Sequence, residues 1–121
     1  MVIWKSENSE DFFAHIEKLT DEDKFTECIE LLISIPQEER DYNAWYQLAR
    51  AYQNFAIVGD DDKGTSSFIG DKALLKSIEI LNLVKEEGEN KAEWNMRMAY
   101  AYQYLTCEEE RALPYAIRWG E

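Results

Sequence analysis

Leu48-Ala49-Arg50-Ala51-Tyr52-Gln53 returns fifty residues later as Met98-Ala99-Tyr100-Ala101-Tyr102-Gln103. A tryptophan precedes each copy, Trp45 in the first and Trp94 in the second, one position out of register. Each copy is followed by a stretch bearing an Ala-Leu pair, Ala73-Leu74 and Ala112-Leu113. Small residues at fixed offsets let helices approach closely, and large aromatics fill the space beside them. Repetition of such a unit implies stacking, because one helical hairpin cannot bury its apolar face alone.

The flanking sequence carries the same helical period. Phe12, Phe13, Ile16 and Leu19 fall on one face of a helix expected from about Ser9 to Leu19. Thr20, with Asp23 three residues later, reads as the capping box of a second helix carrying Phe25, Cys28, Ile29, Leu32 and Ile35 inward, stopped by Pro36. A third helix is expected to open at Asp41 with Trp45, Leu48, Ala49 and Tyr52 on its apolar face. Residues 56–70, with Gly59, Asp60, Asp61, Asp62, Gly64 and Ser66, oppose helix and read as an inserted loop. Asp71 then opens a fourth helix with Leu74, Ile78 and Leu81 as its seam, ending before Gly88. A fifth spans roughly Lys91 to Leu105. Thr106 and Glu109 form a capping box for a sixth, filled by Ala112, Leu113, Ala116, Ile117 and Trp119, with Pro114 too far in for a first-turn proline. The expected fold is therefore all-α: one domain over residues 1–121, with hairpins at about 9–36, 41–87 and 91–120. Short links make neighbouring helices antiparallel.

These units resemble the tetratricopeptide repeat (TPR) family. Trp45, Leu48, Ala49 and Tyr52 match its first-helix pattern, and Met98, Ala99 and Tyr102 follow it again, with Asn95 at the tryptophan position. Ala73, and then Ala112, Ala116 and Trp119, resemble the small and large positions of its second helix, whereas Ser77 and Ile80 depart from them. The resemblance covers residues 9–120 and is strongest over 42–55 and 95–119. It implies a short right-handed α-solenoid of about six helices whose first helices line a concave face. The positions implied for that face are Asn43, Tyr46, Arg50, Gln53 and Asn54, then Glu93, Met96, Tyr100, Gln103 and Tyr104. Aromatic and amide groups suit a partner segment, since tyrosine offers rigid contact area and Asn and Gln can pair with a peptide backbone. Tyr100 and Tyr104 packing on a neighbouring hairpin is the competing reading.

Charge narrows the partners. With 25 acidic and 13 basic residues the formal charge is −12, which disfavours nucleic acid and anionic membrane and favours a neutral or basic protein segment. No run approaches the apolar length of a membrane span, and the start Met1-Val2-Ile3-Trp4-Lys5 lacks the apolar stretch of a secretory signal, so a cytoplasmic location is expected. Cys28 and Cys107 have no metal-ligand spacing and read as free core cysteines.

Catalytic and metal chemistry finds no constellation. His15, the single histidine, sits among Phe13, Ala14 and Ile16 as a surface or rim residue, without a nucleophile to serve. Asp60, Asp61 and Asp62 lack the spacing and terminal glutamate of a calcium loop. The glycines flanking that acidic run would hold phosphate poorly. No enzyme activity, metal or cofactor is expected. The primary functional expectation is a non-catalytic module binding a peptide or partner segment. Self-association through the end after Trp119, as a homodimer or within a longer protein of which this is the front portion, is the alternative. A ligand-responsive regulator is a weaker one.

Overall fold

The computed structural model describes residues 3–59, 67–105 and 111–120. Seven α-helices occur among them: α1 (Ser9–Asp21), α2 (Phe25–Ile33), α3 (Tyr42–Ile57), α4 (Ser67–Leu83), α5 (Lys85–Gly88), α6 (Ala92–Tyr104) and α7 (Ala112–Gly120). Single 3₁₀ turns at Ser6–Asn8 and Gln37–Glu39 precede α1 and α3. The chain is all-helical across the described residues. No helix among them is long and apolar enough to cross a membrane.

Each long helix packs on the next, α1 on α2, α2 on α3, α3 on α4, α4 on α6 and α6 on α7; α3 also touches α6. The core follows the helical period. Phe12, Ile16 and Leu19 come from α1, Cys28 and Leu32 from α2, Ala44, Leu48, Ala49 and Ala51 from α3. The face of α4 is broad: Ala73, Leu74, Ser77, Ile78, Ile80 and Leu81 are all buried, because α3 and α6 cover it from two sides. Trp94, Met98 and Ala101 complete the core from α6.

The helix ends correct several expectations. Thr20 does not cap a second helix; it lies inside α1, and its hydroxyl donates to the Ile16 carbonyl at 2.8 Å. Asp23 is the left-handed residue that terminates α1, with φ of 58°. The Lys24 and Asp23 amides donate back to the carbonyls of Leu19 and Thr20, the paired bonds of a Schellman end. The same sequence offered a start signal and a stop signal, and the stop prevails because it satisfies two carbonyls at once. Asp41 does cap α3, its Oδ1 accepting from the Ala44 amide at 2.9 Å.

The expected 56–70 loop is trimmed from both ends. Helix α3 keeps Ala56 and Ile57, closing at Gly59 with φ of 86°, and α4 begins at Ser67. The acidic run Asp60, Asp61 and Asp62 lies outside the described residues, as does the expected Thr106–Glu109 capping box. Pro114 is only the third residue of α7, within the first turn, whose amides have no intrahelical acceptor, so it needs no bend. In α7 the inward positions are Ala112, Tyr115 and Ala116, whereas Leu113 and Ile117 are 63% and 55% exposed. Tyr115 decides that rotation by docking on Trp94 and Tyr102.

Between α4 and α6 the helix breaks at Val84, and the single turn α5 lays Gly88 flat against the indole of Trp94. Trp94 is fully buried and donates from Nε1 to the Leu81 carbonyl at 2.9 Å. A Cβ at position 88 would lie 2.5 Å from Trp94 Cγ and 2.8 Å from its Nε1. Neither the backbone of α5 nor the hydrogen-bonded ring has room to yield. Gly88→Ala is therefore expected to destabilise the fold by about 3 kcal/mol through overpacking. Urea denaturation would show this as a lowered midpoint, accompanied by a changed tryptophan emission.

Candidate functional site

The expected interaction face runs along α3 and α6, and all of its residues but one are exposed or half-buried there. On α3, Asn43 is exposed, and Tyr46, Arg50 and Asn54 are half-buried. On α6, Glu93, Gln103 and Tyr104 are exposed, and Met96 and Tyr100 are half-buried. Spacings of three, four and seven residues place each set on a single helical face.

Gln53 is the correction. It was expected on the outward face and is fully buried instead. Its Nε2 donates to the Arg97 carbonyl of α6 at 2.7 Å and to the Ser77 hydroxyl of α4 at 3.3 Å. Position 53 lies on the border of the outward face, at the level where α4 and α6 both close on α3, so the neighbours and not the period of α3 decide its burial. Gln103, its counterpart in the second copy, is exposed.

The repeat-signature residues mostly occupy the interior. Leu48, Ala49, Ala73, Met98, Ala99 and Ala112 are buried, while Tyr52, Tyr102 and Ala116 are half-buried. Trp45 is also half-buried, with the Arg40 guanidinium 4.7 Å above its ring. Arg40 at the same time donates to the carbonyls of Ile33 and Ile35, so one cation closes the end of α2 and covers an indole of α3. The Trp119 side chain lies outside the described residues.

A ladder of polar links joins α3 to α6. The Lys91 ammonium sits 4.0 Å from the centroid of the Tyr42 ring, and Tyr42 stacks on Tyr46. Arg97 Nε donates to the Tyr46 hydroxyl at 3.4 Å, and the Arg97 carbonyl accepts from Gln53. Burial first, and then the Glu93 carboxylate, push the Tyr42 phenol well above its ordinary range, so it stays neutral at physiological pH. On the other flank Arg50 pairs with Glu17 of α1 at 2.5 Å and donates to Thr20. Arg97, Glu17 and Lys91 were not among the residues expected to matter. Arg97 shares a face with Glu93 and Tyr100, which is the one signal of its place in the sequence.

His15 is half-buried on α1, and Cys28 is a buried thiol 3.7 Å from both the Thr20 hydroxyl and the Ile16 carbonyl. Cys107 lies outside the described residues. Among the described residues no cluster of three His, Cys, Asp or Glu side chains is arranged to hold a metal ion. The face presents exposed amide, carboxylate and phenol groups on two helices that pack on one another.

Comparison with protein-family models, with curated proteins and with solved structures yields no match.

Gln53→Ala removes both hydrogen bonds of the bridge and leaves a cavity where the buried amide stood. A loss of about 2 kcal/mol is expected, from the lost bonds together with the lost packing. Thermal denaturation would measure it, and Gln103→Ala, at the exposed counterpart, is expected to change stability by less than about 0.5 kcal/mol.

Proposed function

We propose that this chain is a non-catalytic interaction module, a short TPR-like right-handed solenoid of helical hairpins that holds a protein or peptide segment along α3 and α6. The observation that carries this reading is the direct packing of α3 on α6, with its ladder of Tyr42–Lys91, Tyr46–Arg97 and Gln53–Arg97 contacts. A stack of hairpins brings alternate helices side by side in this way, and the resulting wall is a natural seat for a partner segment. The overall charge of −12 favours a neutral or basic partner, met in the cytoplasm.

A second reading has its own observation. Leu113 and Ile117 stand one turn apart on the outer side of α7, exposed, with the uncovered Gln103 on α6. Where Gln53 meets a following helix, Gln103 meets none among the described residues. Self-association through this end, with a second copy covering Leu113 and Ile117, is the alternative role.

The two readings separate experimentally. Met96→Ala combined with Tyr104→Ala is expected to weaken capture of a copurifying partner roughly tenfold or more while leaving the melting temperature unchanged. Capture as strong as wild type would refute the α3–α6 seat. For self-association, sedimentation equilibrium into the high micromolar range is expected to show dimer in the wild type and monomer in Leu113→Glu, Ile117→Glu. A wild-type monomer throughout would rule it out.

A further inference from the structure

Between α2 and α4 a cavity of about 350 Å³ opens over Trp45, Leu48 and Tyr52 of α3. Spacings of three, four and seven residues put these three on one stripe of α3, turned away from Asn43, Arg50 and Asn54. Ile33 of α2 and Ile80 and Leu83 of α4 form apolar walls, and Arg40 stands over Trp45 at one end. A second cavity of about 290 Å³ shares Tyr52 and Lys76 with the first and continues it to Ile29, Phe55 and Ala73. We propose that this trough binds an alkyl carboxylate, its head on Arg40 and its chain laid along α3.

Local structure prepares Arg40 as a receptor. Pro36 keeps α2 from continuing, and the 3₁₀ turn Gln37–Glu39 carries the chain round so that the Arg40 amide bonds the Gln37 carbonyl at 3.1 Å. The side chain then reaches back: Nε donates to the Ile35 carbonyl at 3.0 Å and Nη2 to that of Ile33 at 2.9 Å. Its guanidinium lies 4.7 Å from the centroid of the Trp45 ring. A guanidinium carries five N–H donors in one plane. Two of them are held along one edge, and no described residue takes the three that remain on Nη1 and Nη2. That terminal edge matches the two oxygens of a carboxylate. Since two carbonyls and an indole already fix the group, little side-chain freedom is lost when it binds. None of the residues lining this cavity adjoins a segment outside the described residues.

The charges of the lining suit a single anion. Lys76 faces Glu79 at 3.6 Å, which leaves Arg40 as the cation without a carboxylate. The net −12 repels anions at long range, but screening over about 8 Å at physiological salt leaves the contact at Arg40 in control. The tail has its own support. Ile33 and Leu83 are 49% and 62% exposed at the rim, apolar surface that an alkyl chain would take out of water. Helix α3 rises about 15 Å from Trp45 to Phe55, so the trough suits an extended chain better than a compact ring. A peptide terminus offers the same carboxylate, but its amides would lie along Leu48, Ile80 and Ala73, whose side chains give them no hydrogen bond. The site is independent of the α3–α6 reading.

The test is a titration of the full chain, labelled with ¹⁵N, with octanoate at constant ionic strength. The Trp45 indole resonance is expected to shift saturably with a Kd on the order of 1 mM. The Trp94 indole, fully buried and bonded to the Leu81 carbonyl, stays still. Decanoate is expected to bind roughly threefold more tightly than octanoate, because its longer chain covers more of the trough. Octanol, with the same chain and no charge, is expected to bind about fivefold more weakly or worse. Arg40→Gln is expected to bring octanoate down to the level of octanol. Glu79→Gln, an exposed change that removes the competing carboxylate, is expected to tighten octanoate roughly twofold and leave octanol unchanged. Circular dichroism checks each variant, and should Arg40→Gln fail to fold, Glu79→Gln and the comparison with octanol decide. Linear shifts, equal binding of octanoate and octanol, or an octanoate affinity indifferent to both variants would overturn the proposal. So would tighter binding of a short acetylated peptide ending in leucine, which would assign the trough to a chain terminus.

Discussion

Helix α3 is packed from three sides, by α2, α4 and α6, while α1 packs on α2 and α7 on α6. That crowding is possible because its inward positions alternate small and large: Ala44, Ala49 and Ala51 admit neighbouring backbones, and Leu48 fills between them. The amide of Gln53 is buried at this junction, and its nitrogen finds partners in the protein. It finds one on each neighbour, a carbonyl of α6 and a hydroxyl of α4. A buried amide of this kind contributes registry as much as stability, since sliding either helix by one residue would leave it unpaired.

The helices themselves were plain in the sequence. Phe12, Ile16 and Leu19, and likewise Leu48 and Ala49, repeat at helical spacing and are buried, and Asp41 announced the start of α3 by the chemistry of its carboxylate. What escaped was settled by neighbours distant in the chain. Gln53 and Gln103 occupy the same place in the two copies of one motif, yet the first is buried and the second exposed: α4 and α6 both close on the first, and no described helix covers the second. The outward turn of Leu113 and Ile117 likewise follows from Tyr115 docking on rings of α6. Thr20 misled for a different reason: a hydroxyl that could cap the next helix also reaches the carbonyl four residues back, and local sequence does not rank the two.

The candidate face was legible as a set of positions and illegible as a network. Tyr46, Arg50 and Tyr100 follow from the period, but that Tyr46 meets Arg97 and Arg50 meets Glu17 depends on how the helices lie beside one another. These links draw several of the expected binding groups into holding helices together. Asn43, Glu93, Gln103 and Tyr104 keep the greater share of exposed surface. Recognition along the face would therefore rest more on its margins than on its centre.

The one-residue offset between Trp45 and Trp94 has a last consequence. In the first copy the small residue Ala44 is buried and the indole sits half out beneath Arg40; in the second the indole is fully in, and Asn95 beside it donates to the carbonyls of Glu89 and Lys91. The space for Trp94 comes from Gly88, which lies in α5 and not in the helix that carries the indole. The two units have thus divided the same volume differently, and neither is a template for the other. Substitutions at 88 and 94 are bound to one another as a key is to its lock. A chain assembled from two identical copies of either unit would inherit a hole or a clash that the natural pairing avoids.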